Sequence, residues 1–356
     1  MTVRHLVTAF EKWSAAQQPL VLATVYETAG STYSKSGAQM LINGQGDFQG
    51  MLSGGCLEGD LAERAREVIL TGRPQTVTYN LAQNDEALWG LGVGCDGLMR
   101  IFLQMLSPQT AYEPFASMCA AYVGESVEAA VTVIESADEL ISAGRTQVSV
   151  GGKAVYNDIG KTLEQHISSL AATVLAEGHS RAAVLEGPGG EFKLLVSILR
   201  PPPRLLVLGA GLDARPVVRL ASLLGWRVVV QDHRPAYIAA GEFAEAEAVY
   251  CAPAEDLAAT VDLLRIDAVI VMSHHLVTDG KYLRVLSGTG IPYIGLLGPV
   301  NRRDRLMGDL GDLAGTLRHR LHGPAGIDIG ASGPASIAVS IIAQVHGQLS
   351  RRIAKH

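Results

Sequence analysis

The sequence predicts an α/β protein built as an N-terminal mixed α+β domain followed by a Rossmann-like, doubly wound parallel-sheet domain. Three observations lead there. Leu205 to Asp232 reads as an apolar run, a Gly-x-Gly-x-x-Ala turn at Gly209, Gly211 and Ala214, a helical stretch, a second apolar run and an acid, the order of a strand–turn–helix–strand unit. After it, short apolar runs alternate with helical stretches, as strands buried on both faces of a parallel sheet do. Before it, Arg200-Pro201-Pro202-Pro203 interrupts the chain, because consecutive prolines continue neither a helix nor a central strand. The expected division is therefore 1–199, a proline linker at 200–203, and 204–356.

In the first part, residues 5–18 read as a helix, and Leu20 to Tyr26 as a strand leading into the turn-rich Thr28 to Gly37. Ala38 to Ile42 and Phe48 to Leu52, separated by Asn43-Gly44-Gln45-Gly46, suggest a hairpin. Leu57, Leu61, Ala65, Val68 and Ile69 recur at helical spacing up to Gly72 and Pro74. Val77 to Leu81 and Leu98 to Leu106 read as strands around a glycine-dense loop, residues 90–97. From Pro108 to Leu199 the pattern predicts helices at 111–121 and 161–177 and strands at 128–134, 182–186 and 192–198, flanking the first domain or completing its sheet.

In the second part the expected strands are Leu205 to Leu208, Val228 to Gln231, Ala248 to Cys251, Ala268 to Met272 and Tyr293 to Leu297. Helices are expected near 214–224, 254–264 and 279–287, and a last one over 334–349 with Ile337, Ile341, Ile342 and Val345 on one face.

A length of 356 residues suits two domains, and a net charge of -6 without a basic, aromatic stripe argues against nucleic acid. The N-terminus lacks the apolar core of a signal peptide, and no run approaches the roughly 18 apolar residues that span a bilayer. The expectation is a cytoplasmic protein away from membranes. The 4 cysteines, Cys56, Cys95, Cys119 and Cys251, form no CxxC pair, so neither a disulfide scaffold nor a structural zinc site is expected. Cys119 and Cys251 read as core residues.

The chemistry concentrates in a few places. Gly209 permits a tight turn, Gly211 lets backbone approach a pyrophosphate, and Asp232, roughly 20 residues on, stands where an acid accepts from ribose hydroxyls. Asp213 adds negative charge where a phosphate would sit, and Arg215 and Arg234 either offset it or are simply solvated. His274 and His275 follow the fourth strand, at the edge where doubly wound folds place ligands; each reads as a phosphate donor, acid or metal ligand, or as a plain loop residue. In Ser53-Gly54-Gly55-Cys56-Leu57-Glu58, a cysteine at the mouth of a helix meets amides that favour a thiolate, with two glycines open to a ligand. The bland reading is a turn followed by a small buried hydrophobe. Cys95, between Gly94 and Asp96, has similar company. Ser31 and Lys35 in the 30–37 turn fit an anion and fit a plain connection equally well.

Taken together, GSTYSKSGAQM, SGGCLEGDL, the loop ending GCDG, the Gly209 block, IPYIGLLG and GIDIGASGPASIAVSIIAQV resemble the XdhC/CoxI family, accessory proteins of molybdenum hydroxylases such as xanthine dehydrogenase and aerobic carbon monoxide dehydrogenase. The resemblance covers most of the chain. It implies a chaperone that binds molybdenum cofactor (molybdopterin or its dinucleotide form), assists sulfuration by a cysteine desulfurase and delivers the product to the hydroxylase apo-enzyme. Separately from the resemblance, a homodimer is expected. Carried onto this chain, Cys56 is the candidate molybdenum or sulfur ligand, Gly54, Gly55 and Glu58 shape its loop, and Cys95 is a second candidate. Gly209, Gly211, Asp232 and His274 would form the nucleotide side. This chain departs from the family where it reads Leu212-Asp213 instead of a His after the second turn glycine. SHHLVTDG replaces a THDHELD-like segment, and GPVNRR shifts Arg302 and Arg303. The departures cluster at the presumed ligand edge and suggest a divergent branch. A rival reading from the same turn is an NAD(P)-dependent oxidoreductase with His274 or His275 as proton donor. A third is a redox-sensing or scaffold protein that uses the thiols without the cofactor.

Overall fold

The structure, a computed structural model, describes residues 2–80, 97–138, 140–187 and 189–353. The chain divides into two compact units, Met1–Pro201 and Pro202–Lys355.

The first unit starts with helix α1 (Val3–Ala15), then strands β1 (Leu20–Ala29), β2 (Gln39–Asn43) and β3 (Phe48–Gly50), helix α2 (Glu58–Thr71), and strands β4 (Gln75–Asn80) and β5 (Leu98–Leu106). The strands form an antiparallel sheet in the order β3-β2-β1-β5-β4. Successive side chains of a strand point to opposite faces, and in β1 both faces are covered. Leu20 and Leu22 join a core with α1 residues Leu6, Val7 and Trp13, while Val21, Ala23 and Val25 join one with α2 residues Leu61, Ala65 and Val68. That is why β1 reads as a continuous apolar run. Gly72, in the left-handed region, stops α2.

Residues 108–199 do not complete that sheet; they belong to the same unit and flank it, one of the two arrangements expected from the sequence. They build a second antiparallel sheet of their own, order β8-β7-β6-β10-β9, from β6 (Glu128–Ser136), β7 (Thr146–Val150), β8 (Lys153–Asn157), β9 (Arg181–Gly187) and β10 (Gly190–Leu199). Helix α3 (Phe115–Val123) packs with α1 in the core that also takes Ala130, Val148 and Leu199 from this sheet. Helix α4 (Glu164–Glu177) buries Ile167, Ala171 and Val174 against the other face.

The second unit holds a six-stranded parallel sheet, β13-β12-β11-β14-β15-β16, built from β11 (Arg204–Leu208), β12 (Arg227–Asp232), β13 (Ala248–Cys251), β14 (Ala268–Val271), β15 (Tyr293–Leu296) and β16 (Leu321–His322). Strand order reverses between β11 and β14, which makes the carboxyl end of that pair the topological switch point. Helices α5 (Ala214–Leu223) and α11 (Pro334–Ile353) cover one face, with Val217, Val218, Ile341 and Val345 over Leu205, Val207 and Ile270. Helix α8 (Leu276–Ser287) and helix α9 (Val300–Leu310) cover the other.

The helix expected over 254–264 breaks into a 3-10 turn, Ala254–Asp256, the single turn α7 (Leu257–Thr260) and a second 3-10 turn, Leu263–Arg265. Helices α6 (Pro235–Gly241) and α10 (Ala314–Leu317), with α9 and β16, add to the expected elements. Cys251 is exposed on the edge strand β13, not in the core as expected, while Cys119 is buried. Among the described residues no helix is long and apolar enough to cross a membrane.

Candidate functional site

Two sequence motifs of the first unit, the 28–37 turn and the loop before α2, meet at one end of its first sheet, together with Gly97; the rest of the 90–97 loop lies outside the described residues. The turn after β1 reaches the loop before α2 through Ser34 Oγ, which donates to the Met51 carbonyl at 3.4 Å. The ring of Tyr33 lies 3.4 Å from where a Gly54 side chain would begin. Gly97, at the start of β5, sits so close to Ser31 that a Cβ there would collide with its carbonyl oxygen. Lys35 Nζ bonds Thr32 Oγ1 at 3.4 Å.

The loop 52–57 is organised by one carboxylate. Glu58 is 2% exposed. Its Oε1 accepts from the amides of Leu52 (2.8 Å) and Ser53 (2.9 Å), and its Oε2 from Ser53 Oγ (2.5 Å) and the amides of Gly55 (2.9 Å) and Leu57 (3.2 Å). Burial pushes this carboxyl up, but the Ser53 hydroxyl and the loop amides outweigh it and hold Glu58 below the usual glutamate range. Wrapping the chain around that carboxylate requires left-handed backbone at Gly54 (φ 79°) and Gly55 (φ 111°). Ser53 Oγ also accepts from the Leu57 amide at 2.7 Å.

Cys56 is what the loop leaves over for chemistry. It is half-buried, touching the core beneath α2, and its sulfur is free of any disulfide. Nothing lies within 4 Å of where a Cβ would stand on Gly55 or Gly59, so there is room beside it. Cys95 lies outside the described residues. Among the described residues no cluster of His, Cys, Asp and Glu has the form of a metal site. Cys119 is a core thiol that burial pushes up to about 12.

In the second unit, Gly209, Gly211, Asp232 and His274 do come together, at the switch point. Gly209 (φ 124°) lies against the end of β14, where a Cβ would stand 2.5 Å from the Met272 carbonyl oxygen. The sequence ascribed this glycine to a tight turn, and the crossing of two backbones is what demands it. Asp232 is not presented to solvent. Its Oδ2 accepts from the Ala210 amide (2.7 Å) and Arg234 Nη2 (2.6 Å), and its Oδ1 from the Arg234 amide and Nε (both 2.9 Å). Burial opposes its charge, yet the Arg234 guanidinium and these amides hold it below the usual aspartate range. A ribose would have to displace Arg234, which also donates to the Ser273 carbonyl and stacks on Tyr237.

Two more ion pairs share this edge. Asp279 accepts from Ser273 Oγ (2.5 Å) and Arg302 Nη2 (2.6 Å). His274 Nε2 lies 2.7 Å from Asp213 Oδ2. His275 is a helix cap: its Nδ1 accepts from the Thr278 amide at 3.4 Å and meets Thr278 Oγ1 at 2.9 Å. Arg215 binds the carbonyls of Ala240 and Gly241 and pairs with Glu242, away from Asp213. Sequence reasoning missed Ser273, Asp279 and Arg302 as one network, because the link between them is spatial.

A glycine-turned cysteine loop on an antiparallel domain, followed by a separate parallel-sheet domain with a glycine turn at its switch point, defines a two-domain α/β protein with a Rossmann-like second domain. Comparison with known proteins gives the family. A model described as "XdhC and CoxI family" matches residues 13–80, and one described as "XdhC Rossmann domain" matches residues 205–345. The chain belongs to the XdhC and CoxI family. It is 29% identical over 342 residues to a Bacillus subtilis (strain 168) protein named as a probable xanthine dehydrogenase subunit, covering 95% of each chain. It is 28% identical over 222 residues to the uncharacterized protein YqeB of Escherichia coli (strain K12), 59% of this chain and 40% of that one. A crystal structure described as a xanthine dehydrogenase from Bacillus halodurans is similar with a TM-score of 0.76 and 28% identity, covering 97% of this chain and 96% of the other.

Proposed function

We propose that this protein is an accessory factor of a xanthine dehydrogenase-type molybdenum hydroxylase, and that it holds molybdenum cofactor at the Cys56 loop while a cysteine desulfurase supplies sulfur and the apo-enzyme waits to receive it. Family membership supports the accessory role. The observation that carries the cofactor assignment is the half-buried Cys56 thiol on a loop clamped by Glu58, with open space beside Gly55 and Gly59. A soft thiolate suits molybdenum and sulfur. The clamp matters because a ligand held by one sulfur needs that sulfur fixed before it arrives. Glu58 supplies no bond to the cargo, since its oxygens already serve the loop. Its work is positional.

An NAD(P)-dependent oxidoreductase would need the Gly211 backbone for a pyrophosphate and Asp232 for a ribose. Here Asp213 leans over the first and Arg234 occupies the second. The geometry favours the accessory reading.

The test is loading. Wild-type protein incubated anaerobically with molybdenum cofactor and desalted is expected to keep molybdenum near one per chain. Cys56→Ser is expected to keep at least about tenfold less, a drop of roughly 1.4 kcal/mol or more in binding free energy. Equal loading of the two would remove Cys56 from its central role.

A further inference from the structure

We propose that Asp213 and His274 form a latch over the glycine turn of the second unit, so that the turn refuses diphosphates unless the latch is opened. The proposal does not rest on the Cys56 reading, which concerns the other unit.

In this fold a diphosphate approaches the backbone at the second glycine of the turn and the helix that follows it. A Cβ at Gly211 would stand 2.6 Å from Asp213 Oδ1 and 3.9 Å from His274 Cδ2, so both side chains lie over that stretch of backbone. Asp213 thus puts a carboxylate of the protein itself where the phosphate oxygens would go. His274 Nε2, 2.7 Å from Asp213 Oδ2, provides the counter-charge and ties the turn after β11 to the loop after β14, across the switch point.

Three acid–base pairs line this edge: Asp232 with Arg234, Asp279 with Arg302, and Asp213 with His274. Each cation already has its anion, so an incoming diphosphate meets no spare positive charge among them. It must break a pair, and exposure decides which. The side chains of Asp232 and Asp279 are 0% and 1% exposed, so parting either from its arginine strands a charge out of water. Asp213 and His274 are 22% and 58% exposed and can separate into solvent. The His274 backbone is left-handed (φ 60°), a conformation that costs a residue other than glycine. Of the three pairs, the latch is therefore the one that separates most readily.

His274 faces Asp213 from the N-cap of α5, Asp279 from α8 and Arg302 from α9. The Asp213 hydrogen bond raises its pKa, burial opposes, Asp279 adds to the rise and Arg302 opposes it. The Asp213 contact thereby favours the imidazolium over the neutral ring, and the 2.7 Å pair holds the carboxylate in place.

Calorimetric titration of the full chain at neutral pH tests the latch, with ADP and inorganic pyrophosphate as probes. Asp213→Asn removes the charge and keeps the shape; it is expected to bind each probe at least roughly tenfold more tightly than wild type, since one like charge at contact distance is gone. Asp213→Ser, which also clears the space over Gly211, is expected to gain as much. Asp213→Glu retains the charge and is expected to show no gain. Affinities of Asn and Ser variants within threefold of wild type would overturn the proposal, as would the absence of binding by both variants. A gain for ADP without one for pyrophosphate would also overturn it, because the latch lies over the phosphate position.

Discussion

Charge removal at Glu58 strands the buried amides of Leu52 and Leu57, besides the Ser53 and Gly55 donors. Glu58→Gln retains one carbonyl oxygen but turns an amide NH2 toward donors that the lost oxygen served. Leaving buried amides without an acceptor costs about 1–3 kcal/mol each, so the variant should lose about 2–4 kcal/mol. The pH dependence follows from the lowered pKa. A carboxyl whose folded-state value is depressed contributes stability above its unfolded value, near 4.5, and surrenders it as pH falls through the folded value. The melting-temperature gap between wild type and Glu58→Gln should therefore be widest at neutral pH and shrink progressively as pH falls below about 4.5. A gap that stays constant on acidification would show that the lost stability was shape and not charge.

At the scale of the element, the turn from β11 into α5 carries two glycines with different duties, and methyl groups added to them should separate the two. At Gly209 the methyl would meet the Met272 carbonyl oxygen and carbon and the Ser273 nitrogen at 2.5–2.7 Å, all backbone, in a conformation unfavourable to alanine. Gly209→Ala should cost about 3 kcal/mol or more or prevent folding. At Gly211 the near atom is Asp213 Oδ1, the end of a side chain that can swing away. Gly211→Ala should cost about 1 kcal/mol or less, and it should shift the His274 ring resonances as Asp213 moves. Thermal melts of the two variants decide the matter, and equal losses would refute it. The glycine spacing made this turn legible in the sequence, as periodicity did for α1, α2, α5 and α11 and apolar runs did for β1, β5, β11 and β14. What stayed hidden has physical causes. Strands β7 and β8 are short, β8 is an exposed edge strand and β7 carries the polar Thr146, Gln147 and Ser149, so neither has an apolar signature, although Gly151-Gly152 between them, both left-handed, is a hairpin turn. Helix α9 begins after Gly298-Pro299 with Asn301, Arg302 and Arg303 in its first turn, and its apolar face is little more than Leu306 and Leu310. For the site, residue types marked Cys56, Asp232 and His274, but only the folded chain reveals that Asp232 is spent on Arg234 and that Asp213 reaches His274.

For the molecule as a whole, every described hydrophobic cluster closes within one unit. The clusters on the two faces of the parallel sheet draw only on residues between Leu205 and Leu349, and those of the first unit only on residues between Val3 and Leu199. A domain folds alone when its apolar surface is buried by its own elements, and both faces of the six-stranded sheet meet that condition. Residues 202–356 expressed alone should therefore give a single cooperative thermal transition with native-like far-ultraviolet dichroism. A gradual melt with strong binding of a hydrophobic dye would show that its core depends on the first unit. Independent folding would also give the two candidate chemistries separate physical supports. Cys56 and its Glu58 clamp sit on the antiparallel unit, and the Asp213–His274 latch on the parallel one. Opening the latch by Asp213→Asn would then leave the thiol loop unaltered, and Cys56→Ser would leave the diphosphate gain intact.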